Sequence, residues 1–155
     1  MRMLVAKQPE ARRMLSCLLV GVQFACIGAM VLSGPWVARH GALFTLELVG
    51  CLLGIWAVVT MQWNNLSVLP EVRPGSRLVT DGPYRWIRHP MYTALLTITL
   101  ALVCESFSYW RGLSWIILSA TLLVKLSYEE VCLREAFDDY DAYQLRTWRL
   151  IPWIV

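Results

Sequence analysis

The stretch MLSCLLVGVQFACIGAMVLS, residues 14–33, has twenty consecutive positions without a charged side chain. A helix rises about 1.5 Å per residue, so this length crosses the ~30 Å hydrocarbon core of a bilayer. A cleaved signal peptide has a shorter apolar region that ends at a small-residue cleavage site, which favours a retained helix here. The stretch therefore predicts a membrane-spanning helix and an all-α integral membrane protein.

Three more apolar runs follow the first one. Together they predict four transmembrane helices, at about 14–33, 41–63, 90–105 and 111–127. The last two are short and are joined by the compact connector ESFSYWRG, which predicts a helical hairpin with Tyr109, Trp110 and Arg111 at the far membrane interface. Glu47 lies inside the second run, and a carboxylate at that depth is costly unless it faces protein or water. We expect it to point into the helix bundle.

The positive charges predict how these helices are oriented. Lys and Arg accumulate on the cytoplasmic side of membrane proteins. Of the 14 Lys and Arg residues, only Arg39 and Arg111 fall on the side opposite to the termini. We therefore expect both termini and the connector 64–89 to lie in the cytoplasm, with the helices in a bacterial inner membrane. The net charge of +3 reflects this orientation, so membrane lipids are the expected partner and nucleic acid is not.

The overall composition fits one membrane domain over residues 1–155, because 57% of the residues are hydrophobic and only 16% are charged. The five cysteines are scattered and never form a Cys-x-x-Cys pair, so we expect buried small hydrophobic side chains rather than disulfides or metal ligands. The two histidines, His40 and His89, fall on opposite predicted sides of the membrane. No metal site is expected.

The most polar segment precedes the third helix, where residues 81–92 read DGPYRWIRHPMY. Pro90 is favoured in a first helical turn because the N–H that it lacks would be unpaired there anyway. The third helix is thus expected to begin at Pro90, with His89 at its mouth. The connector 64–89 before it is punctuated by proline and glycine, and irregular connectors of this length usually have a function.

The C-terminal part, residues 128–155, is predicted to form a cytoplasmic amphipathic helix and a tail. An apolar stripe runs through it, formed by Leu126, Leu133, Phe137 and Tyr140. The final RLIPWIV is apolar and aromatic, so we expect it to return to the membrane surface or to cap a cavity.

A tight hairpin of the last two helices would bring His89 and Tyr92 close to Glu129 and Glu130. This predicts a pocket at the cytoplasmic boundary of the membrane. Aromatic faces attract organic cations, carboxylates hold amines and ribose hydroxyls, and a helix N-terminus accepts a carboxylate. S-adenosylmethionine has all of the matching groups. Interfacial anchoring and ordinary i,i+4 ion pairs would explain the same residues one at a time.

The order and spacing of these segments resemble the isoprenylcysteine carboxyl methyltransferase family, within a group of membrane methyltransferases that includes phospholipid methyltransferases. The resemblance rests on LVTDGPYRWIRHPMY (78–92), KLSYEEVCL (125–133) and FDDYDAYQLRTWRLIP (137–152). It implies an enzyme that uses S-adenosylmethionine on a lipophilic acceptor. It also implies eight cofactor-binding residues, namely Leu78, Val79, Tyr84, His89, Pro90, Met91, Tyr92 and Glu129.

The candidate catalytic residues are Lys125, Arg88 and Glu130. The resemblance places Lys125 where the prenylcysteine enzymes have an arginine implicated in substrate binding, and lysine keeps the charge but loses the bidentate fork. Lys125 or Arg88 would orient an ionised carboxylate or thiolate, whereas His89 or Glu130 would take a proton from an amine. The acceptor stays open among an isoprenylcysteine-type carboxylate, a phospholipid amine, a fatty acid and a small thiol.

Two other classes of protein fit part of the pattern. Some membrane sterol reductases share a related helical core and a Tyr- and Arg-rich tail but bind NADPH. Glu129 and Glu130 suit a cationic ligand better than the phosphates of a nicotinamide cofactor. A non-catalytic membrane scaffold would keep the helices alone. The oligomeric state also stays open, because Gly50 and Gly54 form a G-x-x-x-G pair that packs helices within or between chains.

Overall fold

The computed structural model describes residues 9–62, 65, 69, 72 and 75–152. These residues form an all-helical protein. Its α-helices are α1 (Pro9–Leu32), α2 (Gly41–Met61), α3 (Pro90–Glu105), α4 (Tyr109–Ala136) and α5 (Tyr140–Gln144). A 3-10 helix, Gly82–Arg85, precedes α3.

Two of these helices are long and apolar enough to cross a membrane. They are Arg12–Leu32 within α1 and the whole of α2, each with a mean hydropathy of 2.2. The outer face of α2 exposes large apolar side chains such as Leu52 and Ile55, which suit contact with lipid. The helix α3 is apolar but has 16 residues, and four complete spans therefore stay a prediction.

The helices pack as two pairs, because α2 lies along α3 and α1 lies along α4, while α3 also contacts α4 and α1. Glycines allow the first pair to approach closely. A Cβ at Gly50 would lie 2.8 Å from Ile98 Cγ1, and one at Gly54 would lie 3.3 Å from Ala94 Cβ. The G-x-x-x-G pair thus packs α2 against α3 within one chain.

The helices α3 and α4 form the predicted hairpin, and Ser108 begins α4 by accepting a hydrogen bond from the Arg111 N–H at 3.3 Å. Tyr109 and Trp110 are exposed, as expected of interfacial side chains. Arg111 follows them in the first turn of α4 but has different surroundings. Its side chain is buried, and its Nη1 and Nη2 donate to the carbonyl oxygens of Met30 and Leu102 at 2.8 and 2.6 Å.

These two carbonyls lie in the last turns of α1 and α3, where no intrahelical N–H is available to them. The guanidinium therefore joins the C-terminal ends of two helices to the start of a third. Gly34 leaves space for it, since a Cβ there would lie 1.8 Å from Arg111 Nη1.

Glu47 is buried, as predicted, and it accepts a hydrogen bond from the Ala38 N–H at 2.8 Å. The carboxylate thus holds the connector between α1 and α2 against the bundle. The expectation of buried cysteines is confirmed for Cys26 but is wrong for Cys17 and Cys104, which are exposed on their helices.

The C-terminal part differs from the prediction of one amphipathic helix. The helix α4 runs without interruption to Ala136 and ends at Phe137, and the short α5 follows after a turn. The apolar stripe survives this break, because Leu126 and Tyr140 are both fully buried. Residues 153–155 of the predicted tail lie outside the described residues.

Candidate active site at the mouth of α3

The site starts with the segment that leads into α3. Gly82 has a φ of +56°, and a Cβ there would lie 2.6 Å from Thr60 Oγ1, so this turn requires glycine. The 3-10 helix then carries Tyr84 into the interior, where its side chain is 4% exposed. The helix α3 begins at Pro90 with His89 directly before it, which confirms the predicted helix start.

The C-terminal segment holds this entry segment in position. The Arg88 N–H donates to the Trp148 carbonyl at 2.7 Å, and the His89 N–H donates to the Arg149 carbonyl at 3.1 Å. One parallel bridge, between Ile87 and Trp148, accompanies these bonds. The tail, as far as it is described, thus supports the mouth of α3 from behind. It is not among the residues that line the cavity described next.

A cavity of about 590 Å³ opens beside the entry segment, and α1 to α5 and the connector before α3 all contribute to its wall. Ten of the eleven site residues predicted from the sequence line it. They are Leu78, Val79, Tyr84, Arg88, His89, Pro90, Met91, Tyr92, Lys125 and Glu129. Glu130 does not line the cavity, and its catalytic role stays a prediction.

Glu129 is the carboxylate on the cavity wall. Tyr92 Oη donates to its Oε2 at 2.7 Å, and His89 Nδ1 lies 3.7 Å from the same oxygen. The rings of His89 and Tyr92 are parallel, with their centroids 5.5 Å apart. Among the described residues Glu129 Oε1 has no hydrogen-bond partner, and the side chain is 26% exposed. One carboxylate oxygen is therefore left for a ligand.

Glu130 belongs to a buried ion cluster behind the cavity. Arg88 Nε donates to its Oε1 and Arg149 Nη2 donates to its Oε2, both at 2.8 Å. Burial raises the pKa of the Glu130 carboxyl, but the adjacent His89 and Arg88 side chains outweigh it and lower the pKa to about 2. Glu130 is an ionised carboxylate with two cationic partners, and this arrangement favours a positioning role.

Arg88 is also engaged by the protein. Besides Glu130, it donates through Nη1 to the Gln144 carbonyl at 3.1 Å and to the Thr147 carbonyl. These bonds direct its guanidinium toward α5 and the tail, although the side chain also lines the cavity. Of the two cations predicted to orient the acceptor, Arg88 therefore has less capacity left for a ligand.

Lys125 is the second of these cations, and its side chain is only 2% exposed. Its Nζ donates to Gln23 Oε1 at 2.9 Å and lies 5.4 Å from the centroid of the Tyr92 ring. Within residues 9–62 and 75–152 the structure records no carboxylate at ion-pair distance from this ammonium. The cavity wall thus carries a buried positive charge whose hydrogen-bond partner is neutral.

Sequence reasoning missed several lining residues, and among the polar ones are Gln23, Tyr140 and Tyr143. Gln23 is an amide in the middle of the first apolar run, and a polar residue at that depth indicates a side that faces other helices. Tyr140 and Tyr143 share one face of α5 because they are three residues apart. Tyr143 Oη donates to the Tyr84 carbonyl at 2.7 Å, which docks α5 onto the entry segment.

Two buried hydroxyls of lining residues, Tyr84 Oη and Tyr140 Oη, have no hydrogen-bond partner among the described residues, whereas His89 Nε2 lies 3.6 Å from Glu130 Oε1. Buried polar groups are rarely left unpaired in native proteins. Burial and the charge of Glu129 raise the pKa of Tyr84, and burial and the charge of Glu130 raise that of Tyr140. Both phenols therefore keep their protons and can donate to a polar ligand in the cavity.

Comparison with known proteins gives an independent view of the site. A sequence model of the isoprenylcysteine carboxyl methyltransferase (ICMT) family matches residues 42–135. The uncharacterized protein YpbQ of Bacillus subtilis (strain 168) is 27% identical over 106 residues, which are 66% of this chain and 59% of that protein. The family match includes Lys125 and Glu129, whereas α1 and α5 lie outside it.

Proposed function

Because the chain belongs to the isoprenylcysteine carboxyl methyltransferase family, we propose that it transfers a methyl group from S-adenosylmethionine to a lipophilic carboxylate. The family is one of methyltransferases, and with α1 and α2 long and apolar enough to span a bilayer, the protein is an integral membrane protein. The observation that carries the proposal is one cavity that combines a carboxylate oxygen and polar atoms without a partner among the described residues with a buried ammonium.

The residues of the cavity fit S-adenosylmethionine. Glu129 offers a carboxylate oxygen to the cationic part of that molecule. The hydroxyls of Tyr84 and Tyr140, which have no partner in the described part of the chain, supply donors for ribose hydroxyls or ring nitrogens. The apolar side chains of Leu78 and Val79 give a flat base a surface to lie on.

Lys125 supports an anionic group on the acceptor. Burying a charge without an opposite charge is unfavourable, so an ammonium whose partner is a neutral amide favours an anion beside it. Phe24 and Leu95 line the same cavity and give it an apolar wall, and Phe24 is also exposed on the outer face of α1. An acceptor with a carboxylate head and an apolar body matches this combination better than an amine does.

A carboxylate acceptor also simplifies the chemistry asked of the chain. When bound, S-adenosylmethionine supplies a methyl group, and an acceptor oxygen bonds to its carbon while the carbon–sulfur bond breaks and leaves its electron pair on sulfur. No proton has to move, so Glu130 need not act as a base. The protein has to align the acceptor, exclude water and keep Lys125 in place.

The site is further proposed to face the cytoplasm of a bacterial inner membrane. It lies at the mouth of α3 and near the end of α4, on the side where the connector and the C-terminal segment carry their arginines. The polar methyl donor would reach it from the cytoplasm, while a lipophilic acceptor would reach it from the membrane.

Thermal stabilisation of the purified protein in detergent tests the function. A ligand at 100 times its Kd stabilises a protein by about 2.7 kcal/mol, so S-adenosylhomocysteine is expected to raise the Tm by several degrees. Glu129→Gln is expected to abolish the rise while the protein stays folded. Glu135→Gln is the matched control, because Glu135 is exposed on the same helix and forms only a surface ion pair with Arg12.

Each of the other possible results of this experiment would support a different conclusion. Stabilisation by NADPH instead of S-adenosylhomocysteine would support a reductase. Stabilisation by neither would support a non-catalytic scaffold. A Glu129→Gln variant that binds S-adenosylhomocysteine as tightly as the wild type would overturn the site assignment but not the function.

A further inference from the structure

We propose that Gln23 is a positioning residue for the methyl acceptor, and that Gln23 and Lys125 together form a clamp with two donors for the acceptor's carboxylate. The proposal rests on the methyl transfer proposed above. It adds a polar residue from α1 to a site whose other polar residues come from α3 to α5 and the connector before α3.

The hydrogen bond between the two side chains fixes which way the amide faces. An ammonium has three N–H donors and no acceptor, so the amide must present its oxygen to Lys125, and the 2.9 Å bond joins Nζ to Oε1. The Gln23 Nε2 group, with two N–H donors, then points away from the ammonium. Among the described residues the structure records no acceptor for it, and Gln23 lines the cavity.

A carboxylate has two oxygens, and two hydrogen-bond donors are needed to hold both of them. An arginine holds both carboxylate oxygens with its planar fork, whereas a lysine acts as a point charge and holds one. The nitrogen of the same amide whose oxygen binds the ammonium supplies the missing second donor. The pair thus reproduces, with two side chains from two helices, the bidentate contact that one arginine would make.

The position of Gln23 in the chain makes it a candidate for specificity. Lys125 lies within residues 42–135, which match the family, and α1 lies outside them. Gln23 is 9% exposed, and Phe24 follows it on the cavity wall. Gln23 therefore lies at the proposed acceptor end of the cavity but outside the part of the chain that matches the family. The family pattern does not specify which residue stands there.

Acceptor kinetics test the clamp. The probes are N-acetyl-S-farnesylcysteine and palmitic acid as lipophilic carboxylates, each with its primary carboxamide as the uncharged match. Gln23→Leu removes the amide at similar volume and is expected to raise the KM for a carboxylate about tenfold, the effect of one lost hydrogen bond to a charged group. Gln23→Glu places a carboxylate on Lys125 and is expected to raise it on the order of a hundredfold.

The affinity for S-adenosylhomocysteine, measured by calorimetry, distinguishes a clamp that binds the acceptor from a structural tie. In a structural tie, the bond between Gln23 and Lys125 would only hold α1 against α4. We expect both variants to keep this affinity within about twofold of the wild type, because the amide does not contact the methyl donor. Cys17→Ala, on an exposed position of the same helix, is the control for general damage to α1. An equal loss of affinity for both ligands would indicate the structural tie and overturn the proposal.

A rescue experiment gives the sharpest distinction. Gln23→Ala alone is expected to raise the KM like Gln23→Leu. The double variant Gln23→Ala/Lys125→Arg is expected to return it to within about threefold of the wild type, because one guanidinium supplies both donors.

Different results would overturn the clamp and the proposed function on which it rests. If the wild type does not bind S-adenosylhomocysteine, the proposed function is wrong. If it binds but methylates neither carboxylate, or if Gln23→Leu leaves the KM unchanged, the clamp alone is overturned.

Discussion

Among single residues, Tyr140 combines complete burial with a hydroxyl that has no partner among the described residues. A buried unpaired hydroxyl lowers the stability of the ligand-free protein, and it contributes to affinity once a ligand pairs with it. Tyr140→Phe removes only this oxygen. We expect the variant to have an equal or higher Tm without ligand and an affinity for S-adenosylhomocysteine about fivefold to thirtyfold weaker, measured by calorimetry.

The opposite signs of the two effects make Tyr140→Phe informative. Tyr143→Phe is the matched control, because it loses the 2.7 Å bond to the Tyr84 carbonyl and is expected to lower the Tm. An unchanged affinity in Tyr140→Phe would mean that its hydroxyl does not contact the ligand.

Glu130 makes the stability of the protein depend on pH. Its pKa is about 2 in the folded protein, below the ordinary value of about 4.3 in an unfolded chain. Such a carboxyl stabilises the folded state above pH ~4.3, and this contribution is lost as the pH falls toward 2. We expect the Tm of the wild type to fall across this window, and that of Glu130→Gln to fall less steeply.

At neutral pH the same substitution leaves Arg88 and Arg149 without their carboxylate. Arg149 is partly exposed, so we expect a loss of roughly 2 kcal/mol rather than the larger value of a fully buried pair. Glu135→Gln, which breaks a surface pair, is expected to cost less than about 0.5 kcal/mol. Equal losses in the two variants would contradict the assignment of Glu130 to a buried ion cluster.

The residues of the site were predictable to different degrees. His89 and Tyr92 belong to one short string, and the hairpin that follows brings Glu129 back to them, so the sequence order alone predicts the group. Gln23 could not be placed in this way, because its contact with Lys125 depends on how α1 packs on α4. Glu130 follows Glu129 directly and yet does not line the cavity, since neighbouring residues in a helix point about 100° apart.

Among the helices, α1 and α3 owe the stability of their C-terminal ends to a residue of α4. Arg111 donates to Met30 and Leu102, and Gly34 leaves the space that its guanidinium fills. Arg111→Ala is expected to lower the free energy of unfolding by roughly 3 kcal/mol without changing the affinity for S-adenosylhomocysteine. Gly34→Ala is expected to destabilise the wild type but to have little effect in the Arg111→Ala background.

The energetic coupling between Gly34 and Arg111 is measured by unfolding four proteins in detergent. They are the wild type, the two single variants and the double variant. If the two losses simply add, Gly34 does not act through Arg111. The contact itself was not predictable, because its acceptors are backbone carbonyls of remote helices. The run of Tyr109, Trp110 and Arg111 instead follows the ordinary pattern of interfacial anchors.

The helix α4 shows the limit of periodicity as a guide to helix ends. Its apolar stripe runs on to Tyr140, which predicts one continuous helix, yet α4 ends at Ala136. Asp138 and Asp139 follow, and short acidic side chains compete with the helical hydrogen bonds and favour turns. The apolar stripe still includes Tyr140, because α5 places this side chain in the protein interior, where Leu126 is also buried.

In the molecule as a whole, some residues of the site lie within the part of the chain that matches the family model, and others lie in helices outside it. Residues 42–135 contain the helix pair α2 and α3 and nearly all of α4, and with them Glu129 and Lys125. The helices outside this range contribute Gln23 from α1 and Tyr140 from α5 to the same cavity. Residues outside the family match can therefore influence which acceptor the proposed methyltransferase takes.

The positive charges predict an orientation of the molecule in which the site faces the cytoplasm. The 28 residues of α4 span about 40 Å, so its two ends can lie on opposite sides of a bilayer. Ser106, before α4, and Ala142, in α5, are exposed reporters whose replacement changes no charge. In a background without the native cysteines, we expect a membrane-impermeant maleimide to label Ser106→Cys in intact cells and Ala142→Cys only in inverted membrane vesicles. The reverse pattern would place the site outside, away from any cytoplasmic methyl donor, and would contradict both the orientation and the proposed supply of S-adenosylmethionine.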